Sequence, residues 1–396
     1  MAILVNDKTK NHDGIGMSID DEYYIILERI DKHRYLVYNT TTKEVNQKIN
    51  ELGEYDDVLP LNEWMLADWV NYGTLDLLDL FNQIKTNLKS VIVFDSDVEY
   101  DIITCWIIAS YKKEIFPSSG FPFFKSRKRE CGKTVAIQSL LRLAYRAIYN
   151  QCSQTKYHNF DWFYYAKKYN ATVLLDNIEH ICNGKKFQQF IDQGYVKVDA
   201  NHKTVFAAMA GTGELIDSNQ QRAISIPMFH AKPAYPHFEP ITKDLNEIRS
   251  KLLFYRYCIP NPDLLDTTGW FDDCGLEGRN RQIFESVLAV ANQIGLEKTE
   301  IINYALKLKE EIEEEEDLER DIVKIIHDYN GDRISLNQII LELDFGDDLK
   351  TKQLIGRTLA SLGIKTKRNG GAGSQTFIDK KENQKVLKRL ERELRI

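Results

Sequence analysis

Gly132, Lys133 and Thr134 stand in a row at the head of a run with helical apolar spacing: Val135, Leu140, Leu141, Ala144 and Ile148. An apolar run of strand type, residues 121–124, and a polar loop, residues 125–131, come just before. Strand, loop, Gly-Lys-Thr and helix in that order form the setting in which this triplet cradles phosphate. The first N–H groups of a helix lack intrahelical partners and carry partial positive charge, which suits an anion. Gly132 lets the backbone come close to the oxygens. Lys133 reaches the β/γ-phosphates as a point charge, and Thr134 offers a hydroxyl to Mg2+. The full pattern G-x-x-x-x-G-K-[ST] would begin with glycine, and Arg127 stands at that position. For the triplet alone, the competing reading is a Lys-rich surface loop ahead of an ordinary helix.

Chemistry on a triphosphate also needs carboxylates. One holds Mg2+ and another orients the attacking water. Residues 171–176, ATVLLD, are a buried-strand pattern that ends in Asp176, the candidate metal carboxylate. Glu179 is the nearest further acid and the candidate water-orienting base, while Asn177 stands where the usual pattern has glutamate. Thr212 follows the next strand pattern, residues 204–210, and reads either as a γ-phosphate sensor or as a turn threonine between glycines. Arg222 precedes the strand run 223–227 and reads either as an arginine finger completing a neighbour's site or as a surface arginine. Arg279 and Arg281 open a further helical run, and one of them, Arg279 for preference, could reach bound phosphates.

Taken in order, SRKRECGKT, ATVLLDNIE, FIDQGYVKV, AGTGEL, QQRAISIPM and GRNRQIFESVLAVA resemble the helicase-like P-loop ATPases of phages, plasmids and archaeal viruses, an AAA+-type group. The resemblance covers residues 90–305. In that family the loop commonly reads S-x-x-x-x-C-G-K-T, matched here by Ser126, Cys131, Gly132, Lys133 and Thr134. The acidic motif reads D-E-x-D/E, matched by Asp176 and Glu179 with a departure at Asn177. The resemblance implies ATP and Mg2+ as cofactors. Ser126, Cys131, Gly132, Lys133, Thr134 and Arg279 would bind nucleotide, Thr134 and Asp176 the metal, and Lys133, Glu179, Arg222 and Thr212 would be catalytic. It also implies a ring-shaped homo-oligomer and an ATP-driven DNA motor, helicase or initiator, serving replication of a mobile element.

The elements that must position these residues follow from pattern. Residues 1–88 read as a small α+β domain outside the resemblance, with strands 23–30 and 34–39 around Asp31-Lys32-His33 and helices 61–72 and 75–88. Residues 89–232 read as an α/β core: strand 90–94, helix 97–113, the loop and its helix, a polar link 150–158, helix 159–168, strand 171–175, helix 185–193, and strands 195–198, 204–210 and 223–227. Strands alternating with helices indicate a parallel sheet. Prolines 227, 233, 236 and 240 mark a boundary. Residues 233–309 then read as a helical lid with helices 245–257, 279–294 and 298–309.

Residues 310–396 begin with an acidic run, 310–317, read as a solvated linker helix. Helix 318–329, a short strand at Arg333-Ile334, helix 336–343 capped by Ser335, helix 351–362 and a hairpin of strands 364–368 and 375–378 follow, with a glycine-rich turn 369–373 and a final basic helix 380–394. That order is the order of a winged helix-turn-helix, whose third helix enters the major groove of duplex DNA while the wing lies along the backbone. Leu354, Ile355, Leu359 and Leu362 would form the apolar face of the third helix. Lys352 and Arg357, with Lys365, Lys367 and Arg368 of the wing, would face DNA.

The chain's 396 residues allow two to four domains. A net charge of −7 and a pI near 5.7 argue against a uniformly basic nucleic-acid coat but leave room for a local basic patch. The longest apolar runs are far too short to span a membrane, and the first residues lack the pattern of a signal peptide. Six cysteines, Cys105, Cys131, Cys152, Cys182, Cys258 and Cys274, lie singly with no CxxC pair. Neither a zinc ribbon nor a disulfide framework is expected, and a reducing cytoplasmic setting fits. Two alternatives stand beside the DNA motor. One is a poorly hydrolysing, nucleotide-gated DNA-binding regulator, favoured by Asn177. The other is a signalling or remodelling ATPase whose winged helix binds protein, favoured by the acidic charge.

Overall fold

The computed structural model describes the backbone of residues 15–19, 22–29, 34–39 and 44–49. From residue 72 onward it describes all but 127, 155–161, 163, 165, 167–169, 183, 195–203, 213–214, 216, 232–241, 265–273, 347–348, 369–374 and 395–396. It divides into two compact units, Met1–Leu306 and Lys307–Ile396.

Near the start of the first unit, strands β1 (Ile15–Ile19), β2 (Glu22–Arg29), β3 (Arg34–Asn39) and β4 (Glu44–Ile49) form an antiparallel meander in chain order. The expected hairpin is β2–β3, with an irregularity between Ile26 and Glu28; β1 and β4 are additional. The turn at Asp31-Lys32-His33 and residues 61–71 of the helix expected at 61–72 lie outside the described residues, and Tyr72 is not helical.

Helix α1 (Leu77–Val91) starts where Asp76 accepts from the N–H groups of Leu78 and Asp79, and it buries Leu80, Phe81, Ile84 and Leu88 along one face. It runs through Val91, so the strand expected at 90–94 does not form. Ile92 and Phe94 are instead buried in an extended segment held by one side chain: the Tyr100 hydroxyl donates to Ile92 O at 2.9 Å and accepts from Phe94 N–H at 2.9 Å. Helix α2 (Asp97–Ser110), almost wholly buried, is shorter than expected, with a single 3-10 turn at Lys113–Ile115 after it.

Five parallel strands make the central sheet: β5 (Phe121–Lys125), β6 (Ala147–Gln151), β7 (Thr172–Asp176), β8 (Ala207–Gly211) and β9 (Ala223–Pro227), in the order β6-β7-β8-β5-β9. Residues of β7 and β8 are buried throughout, as covered parallel strands require. Helix α3 (Lys133–Leu143) packs against this sheet through Ala136, Ile137, Leu140 and Leu143. Its expected extension to Ile148 fails: Ala144 is extended, Arg146 takes a left-handed φ of 45°, and Ile148 lies in β6. Apolar spacing could not tell a last helical turn from a short edge strand. The expected polar link at 150–158 is therefore partly strand. At 159–168 the described positions Trp162, Tyr164 and Ala166 are helical, and the strand expected at 195–198 lies outside the described residues. Helix α4 (Lys185–Gly194) and the short α5 (Asp217–Gln220) precede β8 and β9 respectively.

Helices α6 (Thr242–Cys258) and α7 (Gly278–Ile294) occur where the lid was expected. They are not set apart, because α6 packs on α1 and α3, and α7 packs on α2. A boundary at residue 88 would cut α1, which shares this packing. Helix α8 (Thr299–Asp328) is a single helix of 30 residues over the stretch read as helix 298–309, an acidic linker helix and helix 318–329. The acidic run lies inside it, and Lys307–Glu311 and Lys309–Glu313 make pairs at 3.8 Å one turn apart.

In the second unit, β10 (Arg333–Ser335) leads into α9 (Leu336–Glu342), whose first turn is capped by Ser335 accepting from Gln338 N–H at 3.1 Å. Helix α10 (Leu349–Ser361), β11 (Thr366–Arg368), β12 (Thr376–Asp379) and α11 (Lys380–Glu393) follow. The three strands form an antiparallel sheet in the order β10-β12-β11 over a core of Ile322, Ile326, Ile334, Ile339, Ile355, Leu359 and Ile378. Leu354 was expected on the apolar face of α10 and is 42% exposed; the buried face is Ile355, Leu359 and Leu362. The turn at 369–373 lies outside the described residues.

A buried ion pair links the first unit across the chain. The Arg256 guanidinium bonds Glu114 through Nη2–Oε1 at 2.6 Å and Nη1–Oε2 at 3.1 Å, and it stacks over the Tyr145 ring at 4.1 Å. Burial alone would raise the Glu114 carboxyl, but the adjacent Arg256 charge overrides it and holds the group at about 2, below its ordinary 4.5. A carboxylate lowered on folding contributes stability above its unfolded value and loses it as pH falls through the folded one. Glu114→Gln leaves the guanidinium buried without its counter-charge and should cost about 3–5 kcal/mol near neutral pH. That cost should shrink as pH drops from 4.5 toward 2. Urea unfolding of both proteins across this range measures it; a pH-independent difference would contradict the pairing.

Candidate functional site

In parallel α/β sheets, ligands settle outside the carboxyl ends of the strands. The polar loop leaves β5 at that end. Ser126 N–H still bonds Gly211 O of β8 at 3.3 Å, and the Ser126 hydroxyl accepts from Lys128 N–H at 3.3 Å. Glu130 and Gly132 then take left-handed φ values of 58° and 80°, and Gly132 caps α3. Lys133 folds back over the loop, donating to Ser126 O at 3.3 Å and Lys128 O at 2.8 Å. Cys131 is buried, its thiol 3.4 Å from Arg129 O. Ser126, Cys131, Gly132, Lys133 and Thr134 thus share one turn of chain; Arg127 lies outside the described residues.

The acidic side comes from β7. Side chains alternate across a strand, so Asp176 and Leu174 share a face, and the register with β6 puts Tyr149 and Gln151 on that face. Thr134 Oγ1 donates to Asp176 Oδ2 at 3.0 Å, and the Tyr149 hydroxyl donates to the same oxygen at 3.1 Å. Asp176 is 2% exposed. Burial raises its pKa, while the bonds from Thr134, Tyr149 and the Asn177 N–H oppose the rise and the Glu179 charge adds to it. A hydroxyl and a carboxylate side by side are hard oxygen donors of the kind Mg2+ takes together with substrate phosphates. Among the described residues, no group of three or more His, Cys, Asp and Glu is placed to hold a metal with protein ligands alone.

Asn177 has a left-handed φ of 58°, a conformation that asparagine tolerates better than glutamate. It launches a 3-10 turn, Ile178–His180, which carries Glu179 back over the end of β8, where its Oε2 accepts from Thr212 N–H at 3.2 Å. The two residues expected near the terminal phosphate are therefore in direct contact. A Cβ on Gly211 would stand 2.8 Å from Ile178 Cγ1 and 3.0 Å from Glu179 Oε2. Sequence reasoning missed Tyr149 because it divided the β6 stretch between the end of a helix and a polar link; the alternation of Tyr149 and Gln151 was the available signal.

The arginines lie elsewhere. Arg222 pairs with Asp192 at 3.1 Å, and its carbonyl accepts from Phe121 N–H at 3.0 Å, at the amino ends of β9 and β5. Arg279 bonds the Gln221 side chain beside it. The first turns of α7 are fixed at that same end, since Gly120 N–H bonds Ile283 O at 3.0 Å and the Ser118 hydroxyl bonds Gln282 O at 2.9 Å. A five-residue strand spans about 16 Å. Arg279 is therefore not brought to its own chain's loop, contrary to expectation. Order along the chain does not say at which end of a sheet a residue lies.

In the second unit, Lys365, Lys367 and Arg368 are exposed in one run, with Lys367 paired to Glu382 at 2.5 Å. Arg357 is exposed on α10 and Lys352 is half-buried. Sequence reasoning did not foresee the apolar surface at the α9–α10 corner, where Leu341 is 70%, Phe345 43% and Leu349 71% exposed.

No family model matches this chain, and no curated protein matches it. Among solved structures it is similar to an active helicase, Cch of SCCmec type IV, with TM-score 0.34 and 12% identity, covering 94% of this chain and 79% of that one. It is also similar to Cdc6p from Pyrobaculum aerophilum, with TM-score 0.21 and 12% identity, covering 74% and 94%. Neither neighbour lends this chain an activity.

Gly211→Ala tests the packing beneath Glu179. The added methyl must displace Ile178 and the Glu179 carboxylate, and should cost about 1–3 kcal/mol. Denaturant unfolding measures it, and an unchanged midpoint would show that the Glu179–Thr212 contact gives way freely.

Proposed function

We propose that the chain is a P-loop ATPase of AAA+ type that couples ATP hydrolysis to work on DNA, as helicase or initiator in replication of a mobile genetic element. One observation carries the reading: the hydroxyl that follows Gly132-Lys133 lies 3.0 Å from a buried strand-end carboxylate at the carboxyl end of a parallel sheet. Lys133, held by loop carbonyls, would turn to the β- and γ-phosphates. Thr134 and Asp176 would hold Mg2+, which neutralises charge between those phosphates when bound. Glu179 would orient the attacking water, and Thr212 would sense the γ-phosphate. Arg222, with Arg279 beside it, would complete the site of a neighbouring copy in a ring.

The second unit supports the winged-helix reading through its order of helix, strand, helix, helix and paired strands. Arg357, Lys352 and the β11 residues Lys367 and Arg368, with Lys365 just before them, would meet duplex DNA. The exposed Leu341, Phe345 and Leu349 favour a second reading, in which this unit docks protein and the ATPase remodels a partner.

ATPase rate with and without duplex DNA separates these readings: stimulation is expected for the motor, and indifference for the remodeller. Lys133→Ala removes a charge-assisted contact worth about 1.5–3 kcal/mol, so nucleotide affinity or turnover should fall by about tenfold or more with the fold kept. An unchanged rate would remove the phosphate-loop assignment. Replacing Lys365 and Arg368 with alanine should weaken binding to all DNA sequences alike and lower the log–log salt slope by about 1 for each phosphate no longer neutralised. A slope equal to the parent's would take DNA off this surface.

A further inference from the structure

A nucleotide laid on this loop has a direction. Thr134, Asp176 and Glu179 mark the end for metal and terminal phosphate, on the β7 side of β5. Sugar and base must leave on the other side, toward β9. Residues 228–230, which follow β9, wall that side. Met228 N–H bonds Lys125 O at 2.8 Å, its side chain is buried, and its terminal methyl lies 3.5 Å from where a Cβ on Gly132 would stand. His230 Nδ1 meets Glu130 O of the loop at 3.0 Å. Between these two anchors Phe229 is 51% exposed. A single exposed apolar side chain is ordinary. This one is set apart because the residues on both sides of it are fastened to the phosphate loop.

We propose that Phe229 is the platform on which the nucleotide base stacks, with Met228 and His230 holding it against the loop, an inference that rests on the nucleotide reading above. Base–aromatic stacking does not depend on hydrogen-bonding edges, so this contact strengthens binding without selecting one base.

The test compares two ligands that share the phosphates and differ in the base. ATP and inorganic tripolyphosphate are titrated in parallel into the full chain, Phe229→Ala and Phe229→Trp. Phe229→Ala should bind ATP about tenfold more weakly while tripolyphosphate affinity stays at the parent value, and Phe229→Trp should keep ATP affinity. An unchanged ratio of the two affinities in Phe229→Ala overturns the proposal. Equal weakening of both ligands overturns it too, since the residue would then shape the loop. A parent chain that takes up neither ligand overturns the nucleotide reading and the proposal with it.

Discussion

A carboxylate with almost no exposed surface persists only where its charge is answered close by. Asp176 is in that position, and two hydroxyls answer it: Thr134 from the first turn of α3 and Tyr149 from the edge strand β6. The requirement reaches outward from one oxygen. It fixes where α3 lies across β6, β7 and β8, and so where the loop ahead of α3 must stand. It also fixes the exit from β7. The left-handed turn at Asn177 sends Glu179 over the end of β8, and a glycine at 211 leaves room for it. The asparagine that breaks the usual acidic pattern has a backbone reason to be there.

The parallel sheet imposes a second constraint, because its two ends are chemically separate. Loop, Asp176, Glu179 and Thr212 gather at the carboxyl ends. Arg222 and Arg279 sit at the amino ends, where the Trp106 indole bonds Gly120 O at 3.1 Å and Ser119 meets Ser286 at 3.2 Å. These buried contacts tie α2 and α7 to the start of β5. A rigidly held end a full strand away cannot bring an arginine to the loop of its own chain. In the proposed function such an arginine would serve a neighbouring copy and not its own chain.

Much of this was legible in the sequence. Short, mostly apolar runs gave β7, β8 and β9, and the one at β7 put Asp176 at a strand end, because buried parallel strands leave little room for other patterns. Spacing failed where two structures share one pattern. The stretch from Leu140 to Ile148 suits a helix or a helix followed by a strand, and pairing with β7 decides it, which is a tertiary effect. At 90–94 an apolar strand pattern met no ladder partner, and a tyrosine hydroxyl took the backbone groups instead. The Glu179–Thr212 and His230–Glu130 contacts join residues distant in sequence and could not be read from order at all.

The second unit sets two kinds of surface side by side. Around β11 the exposed side chains are cationic, although Lys367 already has a carboxylate partner in Glu382. On the proposed reading, phosphate contact there would fall mainly to Lys365 and Arg368, because a cation already neutralised releases less from DNA's counterion atmosphere. At the α9–α10 corner, the exposed Leu341, Phe345 and Leu349 stand among the exposed carboxylates of Glu342 and Asp344. A polyanion brought to that corner would meet the like charge of Glu342 and Asp344, whereas an apolar protein segment would bury surface that water now covers. On the proposed reading DNA would meet the cations around β11, while the exposed apolar side chains of the corner suit protein.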